Sequence, residues 1–179
     1  MSLTTKTWTL FFINISICII TILFYFKIHK EKTNWDTYVY KNDSIHFEID
    51  HPYGWPVKTP AQTDCTNDTI CDFAFGTISQ DQNESIRDTI NLLIYSPSLA
   101  QSNNITPTSG CDNANEILTQ SITLKGLSGE QVRCFSEFDG SIRYMYTFEK
   151  DGWVYQIINK GGLNSIRFFD EMVYSFVLL

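Results

Sequence analysis

Residues 8–26 form an unbroken run of 19 residues without a charge. As a helix rising 1.5 Å per residue, this run extends roughly 28 Å, close to the hydrocarbon thickness of a bilayer. Asn14, Ser16 and Thr21 are among its few polar members, and side chains of that size are tolerated there. Trp8 and Tyr25 stand near its ends, where interfacial aromatic belts lie. A segment apolar on every face has no wet side to turn outward, so we expect a membrane-spanning anchor. It is longer than an ordinary signal core and runs into Phe24-Tyr25-Phe26-Lys27 with no small-x-small cleavage site. Ile17 also precedes Cys18 where a lipobox needs a small residue, so we expect an uncleaved anchor without a lipid.

The rest of the chain divides simply. Residues 1–7 read as a short tail, 27–36 as a polar tether and 37–179 as one globular domain. Orientation has two opposed signals. Lys6 and the terminal amine precede the anchor, while Lys27, Lys30 and Lys32 follow it, which would draw the domain into the cytoplasm. Cys65, Cys71, Cys111 and Cys134 make an even number in a modest domain, the pattern of a compartment where disulfides persist. The charge difference is small, and we expect the domain outside the cytoplasm in a single-pass membrane protein.

From residue 31 onward the chain carries all 20 acidic residues and only 10 of its 13 basic ones. Such a surface repels phosphate backbones, and no Lys/Arg cluster faces an aromatic platform, which argues against nucleic acid as a partner.

Local patterns favour strands. At 44–50, Ile45, Phe47 and Ile49 alternate with His46, Glu48 and Asp50, describing a sheet with one dry face. Pro52, Gly54 and Pro56 end it. Further strands are expected at 71–78 and 89–95, separated by a polar loop at 79–88. Exposed loop is expected over 96–110. Asp112 or Asn113, with Glu116, has the pattern of a capping box, predicting a helix through about Ser121. Strands at 130–138, 141–149 and 152–159, joined at Asp139-Gly140 and Asp151-Gly152, read as an antiparallel meander. Ile142, Tyr144, Tyr146 and Phe148 then share one face. A closing helix carries Ile166, Phe169 and Val173 at helical spacing, and 176–179 reads as a last strand. The fold class expected is α+β, a mainly antiparallel sheet flanked by helices and preceded by the transmembrane helix.

Several of these segments, in this order, carry a family signature. Asp50-His51-Pro52-Tyr53-Gly54-Trp55 resembles the Y-P-x-x-W opening of PsbP/Mog1-like domains, with His51 in place of the usual aromatic. Ile122-Thr123-Leu124-Lys125-Gly126, the aromatic hairpin around Asp151-Gly152, and Met172-Val173-Tyr174-Ser175-Phe176 are similar to later stretches of that family. The resemblance covers about residues 37–179. It implies a sheet sandwiched by helices, used for binding or accessory duty and without catalysis.

No catalytic set emerges from the residues. The cysteine spacing lacks the close pairs of a zinc site, so disulfides fit better. We expect Cys65–Cys71 and Cys111–Cys134, one of three pairings that four cysteines allow. His29 lies at the membrane edge, and His46 and His51 point to opposite sides of a strand. Gly126-Leu127-Ser128-Gly129-Glu130 misses the last glycine of a G-x-S-x-G elbow and reads as a turn. The carboxylate pairs Glu48/Asp50 and Asp170/Glu171 read as solvated faces. Asp64, Asp68 and Asp72, with Asp81-Gln82-Asn83-Glu84, are compatible with weak divalent-cation binding but lack the EF-hand order. Asn42, Asn67, Asn83 and Asn104 begin Asn-x-Ser/Thr triplets, which matter only in a host that glycosylates exported proteins.

The expectation is therefore an anchored extracytoplasmic binding or accessory module with no cofactor, held to the membrane by its helix and partnered by an envelope protein or a ligand. Tyr53, Trp55 and the 96–110 loop are the first candidates for its surface. The alternatives are an envelope hydrolase whose site the sequence does not reveal, or a structural domain of a membrane assembly.

Overall fold

Period-two burial sets the architecture. In a computed structural model of the chain, residues 33–60, 69–77, 87–111, 114–135, 142–159 and 163–179 are described. The anchor expected at 8–26 and the Asp139-Gly140 turn lie outside them. Among the described residues no helix is long and apolar enough to cross a membrane. Trp35–Leu179 forms one compact unit.

Two antiparallel sheets build it. Strands β1 (Trp35–Lys41), β2 (His46–Pro52) and β10 (Val177–Leu178) form a small sheet in the order β1-β2-β10. The larger one has seven strands, β3 (Val57–Lys58), β4 (Cys71–Thr77), β5 (Arg87–Tyr95), β6 (Glu116–Leu124), β7 (Leu127–Phe135), β8 (Ile142–Lys150) and β9 (Trp153–Asn159). Their order is β3-β4-β5-β9-β8-β7-β6. The helices are α1 (Pro97–Ser102) and α2 (Leu163–Ser175). The mainly antiparallel sheet is therefore present, with few helices.

The main core fills the space between the small sheet with α2 and one face of the large sheet. Phe47 of β2 meets Phe73 of β4 edge-on at 5.1 Å, Tyr40 meets Phe73 at 4.8 Å, and Phe176 stacks near Phe148 at 6.2 Å. Phe47, Phe73, Phe148 and Phe176 are fully buried, and burying each contributes roughly 2–3 kcal/mol by transfer alone. Side chains Ile45, Phe47, Ile49 and His51 alternate inward along β2 as the pattern predicts. Tyr146 and Phe148 likewise enter the core from β8.

Three sequence expectations are corrected. The segment read as a capped helix through Ser121 is strand β6, because nine consecutive residues pair in register with β7 across the Lys125-Gly126 turn. Lys125 and Gly126 both have positive φ (49° and 85°), the backbone of a tight two-residue hairpin that local helix capping cannot outweigh. The tether expected to reach residue 36 ends earlier, since β1 begins at Trp35 and pairs with β2 along its length. The 96–110 loop contains α1, capped where Leu99 N–H donates to Ser96 Oγ at 3.3 Å, with Pro97 at its first turn.

That loop belongs to the connection from β5 to β6, which crosses the second face of the large sheet. Gln156 Nε2 donates to Thr106 O at 3.1 Å and Arg143 Nη1 to Gly110 O at 2.8 Å. Cys111 then joins Cys134 of β7 in a disulfide with Cα atoms 5.7 Å apart. Cys71 is also disulfide-bonded. The expected partner Cys65 lies outside the described residues. Breaking Cys111–Cys134, which spans 23 residues, by a Cys111→Ala/Cys134→Ala change is expected to lower unfolding free energy by about 3 kcal/mol in urea titrations.

Candidate functional site

The two edges of the seven-stranded sheet differ in kind. At one, β3 has two residues, includes Lys58, and lies between Pro56 and Pro60. Short length, a lysine and prolines are the usual means of keeping a sheet edge from pairing further. At the other, β6 runs nine residues, Glu-Ile-Leu-Thr-Gln-Ser-Ile-Thr-Leu, with no proline, no basic residue and no register shift against β7. Its side chains are exposed except for half-buried Ile122 and buried Leu124. Leu118 is 54% exposed and Ile117 44%.

Cross-strand rows lead inward from this edge. On the core-facing side, Leu118 stands opposite Arg133, which stands opposite Tyr144. The Arg133 guanidinium lies 5.6 Å from the Tyr144 ring centroid, a cation–π contact that holds the arginine flat on the sheet. Next comes Gln120, then Gln131, then Tyr146. Gln131 Nε2 donates to Tyr146 Oη at 2.7 Å, and Tyr146 Oη donates to Asp170 Oδ1 of α2 at 2.9 Å. The third row, Ile122, Gly129 and Phe148, is dry. Gly129 is required there, because a Cβ would collide with the Thr147 carbonyl and come within 2.6 Å of the Phe148 ring. The surface thus grades from closed core at the Lys125 turn to an open mixed face around Leu118, Arg133 and Tyr144.

Burial and the Asp170 acceptor push the Tyr146 phenol well above its ordinary range, burial being the larger cause. Burial, with a smaller contribution from Asp151, pushes Tyr155 up to about 12. Both hydroxyls stay protonated at neutral pH, so Tyr146 serves as a donor fixing α2 to β8.

Sequence-derived candidates are dispersed over the fold. Tyr53 is 70% exposed in the Pro52–Trp55 turn, where Gly54 takes a φ of 79°. Trp55 packs edge-on against Phe168 at 5.6 Å, as does Trp35 at 6.0 Å, so its ring seals that end of α2. Cys71, Cys111 and Cys134 are buried. His51 is buried against Phe75 at 5.7 Å, whereas Ser128 is exposed on β7, in the other sheet. Asp72 accepts from Asn91 Nδ2 at 2.7 Å. Among the described residues no three His, Cys, Asp or Glu side chains group as metal ligands. Residues 61–68 and 78–86, which carry the other proposed cation oxygens, are outside the described set.

Sequence reasoning missed β6 and the Leu118–Arg133–Tyr144 row. The available signal was the β-branched content of Ile117, Thr119, Ile122 and Thr123 before Lys125-Gly126. Comparison with known protein families finds no match, and none of the curated proteins matches the chain.

Because folding raises the pKa of both tyrosines, their protonated forms stabilise the native state fully below the ordinary value of 10. That stability is lost as pH climbs from there toward 12 and beyond. Tyr146→Phe is expected to cost about 1 kcal/mol at pH 7 through its two hydrogen bonds. It should also flatten the alkaline loss of stability, read by denaturant unfolding at pH 8 to 11.5.

Proposed function

We propose that this chain is a membrane-anchored binding or accessory module held outside the cytoplasm, and that β6 is the strand through which it binds. The observation that carries this reading is the contrast between the blunted β3 edge and the long, regular β6 edge, which has no basic residue and no proline. In the second, alternate residues turn backbone N–H and C=O groups away from β7, toward any strand laid alongside. Main-chain pairing of this kind supplies affinity, and side chains on alternate positions supply selectivity.

The flanking residues suit a protein partner. Leu118 and Tyr144 offer apolar and aromatic contact, while Arg133 and Gln120 offer donors along the same face. The chain's net charge of −7 disfavours nucleic acid. The uncharged run at 8–26 supports the anchor, and the Cys111–Cys134 bond supports an oxidising location. We further read the domain as PsbP/Mog1-like, on the motifs around His51–Trp55 and Met172–Phe176 together with a mainly antiparallel sheet. The reading requires no cofactor and no reaction.

A photocrosslinking amino acid at Gln120 is expected to give one discrete protein adduct in native membranes, while the same group at Lys58 gives none. Adducts at neither position, or equally at both, would overturn β6 as the binding strand. In parallel, a Tyr53→Cys variant, at a position 70% exposed and away from β6, should react with a membrane-impermeant maleimide in intact cells. Labelling that appears only after lysis would overturn the outside location.

A further inference from the structure

We infer that the partner of β6 is β6 of a second copy of this chain, paired antiparallel about a two-fold axis at Gln120. This rests on the reading of β6 as the binding strand and names its occupant.

The argument starts from the hairpin. In a two-residue turn the flanking pair Leu124–Leu127 is hydrogen-bonded, so bonded and non-bonded pairs alternate from there along β6. Ile117, Thr119, Ser121 and Thr123 therefore direct their N–H and C=O groups outward. Two such strands bond only if outward residues face outward residues, which restricts the register to steps of two.

Among those registers, the one centred on Gln120 pairs the whole strand and matches like with like at its centre. It sets Leu118 against Ile122 of the second copy, Thr119 against Ser121, Ile117 against Thr123, and Gln120 against itself. Apolar pairs and Thr–Ser pairs are the cross-strand combinations that stabilise an antiparallel ladder. Moving two places one way sets Gln120 against Leu118 and Ile117 against Ser121. Moving the other way keeps Leu118–Leu124 and Thr119–Thr123 but sets Gln120 against Ile122. Either shift leaves the ends of the strand unpaired, so only the Gln120 register pairs all of Glu116–Leu124. Glu116, the strand's one charged residue, falls opposite Leu124 and next to Lys125 of the other copy, so no like charges meet. The result is a continuous antiparallel sheet through both copies. An isologous contact of this kind closes on itself, since among the described residues the seven-stranded sheet has one such edge and the contact uses it in both copies. Anchoring in one membrane raises the effective concentration of the two strands, so a single-strand interface suffices.

The test uses the full chain in detergent micelles and in its membrane. Sedimentation should show a dimer for the wild type. Thr119→Lys/Ser121→Lys puts lysine opposite lysine at both symmetric positions of an exposed strand and should raise the dimer dissociation constant at least about tenfold. Thr119→Glu/Ser121→Lys puts glutamate opposite lysine and should restore dimerisation. Gln120→Cys should form an intermolecular disulfide under mild oxidation in membranes, and Leu118→Cys, which faces Ile122, should not. A doubly lysine-substituted chain that still dimerises, or Leu118→Cys bridging as readily as Gln120→Cys, overturns the inference. A Gln120 crosslink to a protein other than this chain overturns self-pairing and leaves β6 as the binding strand. Absence of any Gln120 adduct overturns both.

Discussion

The connection from β5 to β6 is the constraint on which the sheet depends. After β5 the chain does not turn back to pair with itself. It crosses the second face of the sheet to the far edge and then fills the gap by the meander β6, β7, β8, β9, so that β9 closes against β5. Everything outward of β5 is placed by that crossing. Cys111–Cys134 fastens its far end to the strand next to the edge, which fixes where β6 starts. Gln156 and Arg143 hold the rest of it through its backbone carbonyls.

The crossing also explains why the two faces of one sheet differ in chemistry. A helix and a second sheet cover the first face with side chains, so it is built from Phe73, Phe75, Ile90, Leu92, Tyr146 and Phe148. The second is covered partly by irregular backbone, whose carbonyls need donors. Polar residues are buried there accordingly. Gln156 reaches both Thr106 O and Thr147 Oγ1, and buried Thr89 and Asn91 on β5 lead by hydrogen bonds to the exposed Asp72 on β4. A small apolar cluster of Val132, Met145 and Ile158 forms around Cys111 and Cys134.

What the sequence made legible follows from how local each signal is. The alternation of Ile45, Phe47 and Ile49, the Asp151-Gly152 hairpin and the Phe169–Val173 side of α2 are written in neighbouring residues and stand where the pattern put them, whereas Ile166, expected on the same stripe, is exposed. β6 was misread because its local signals conflict. Asn113 and Glu116 have the spacing of a helix start, while Ile117, Thr119, Ile122 and Thr123 favour a strand. Pairing with β7 decides between them, and that is tertiary information. β1 was missed for a related reason, since Trp35–Lys41 becomes a strand only by lying against β2. The candidate surface was less legible still. That a strand is an edge is a property of strand order, and strand order depends on a crossover that no local pattern reveals.

Edge protection bears directly on how β6 should be understood. A lysine at Thr119 or Ser121 would leave every buried contact of the domain intact, because both side chains are exposed. Protecting the edge is therefore structurally easy, and the opposite edge carries the protection in Pro56, Lys58 and Pro60. An open β6 gains nothing for the isolated fold. Among the described residues no strand pairs with its outer side, which leaves outward backbone groups beside an exposed Leu118, a combination that invites pairing. The side chains inward of the edge have partners of their own, with Arg133 over the Tyr144 ring and Gln131 hydrogen-bonded to Tyr146. Restraining those groups costs side-chain entropy before any partner arrives, which lowers the ordering cost of binding. Packing alone gives no reason for an unguarded strand at the end of a pinned crossover, and that is the ground on which β6 is proposed as the binding strand.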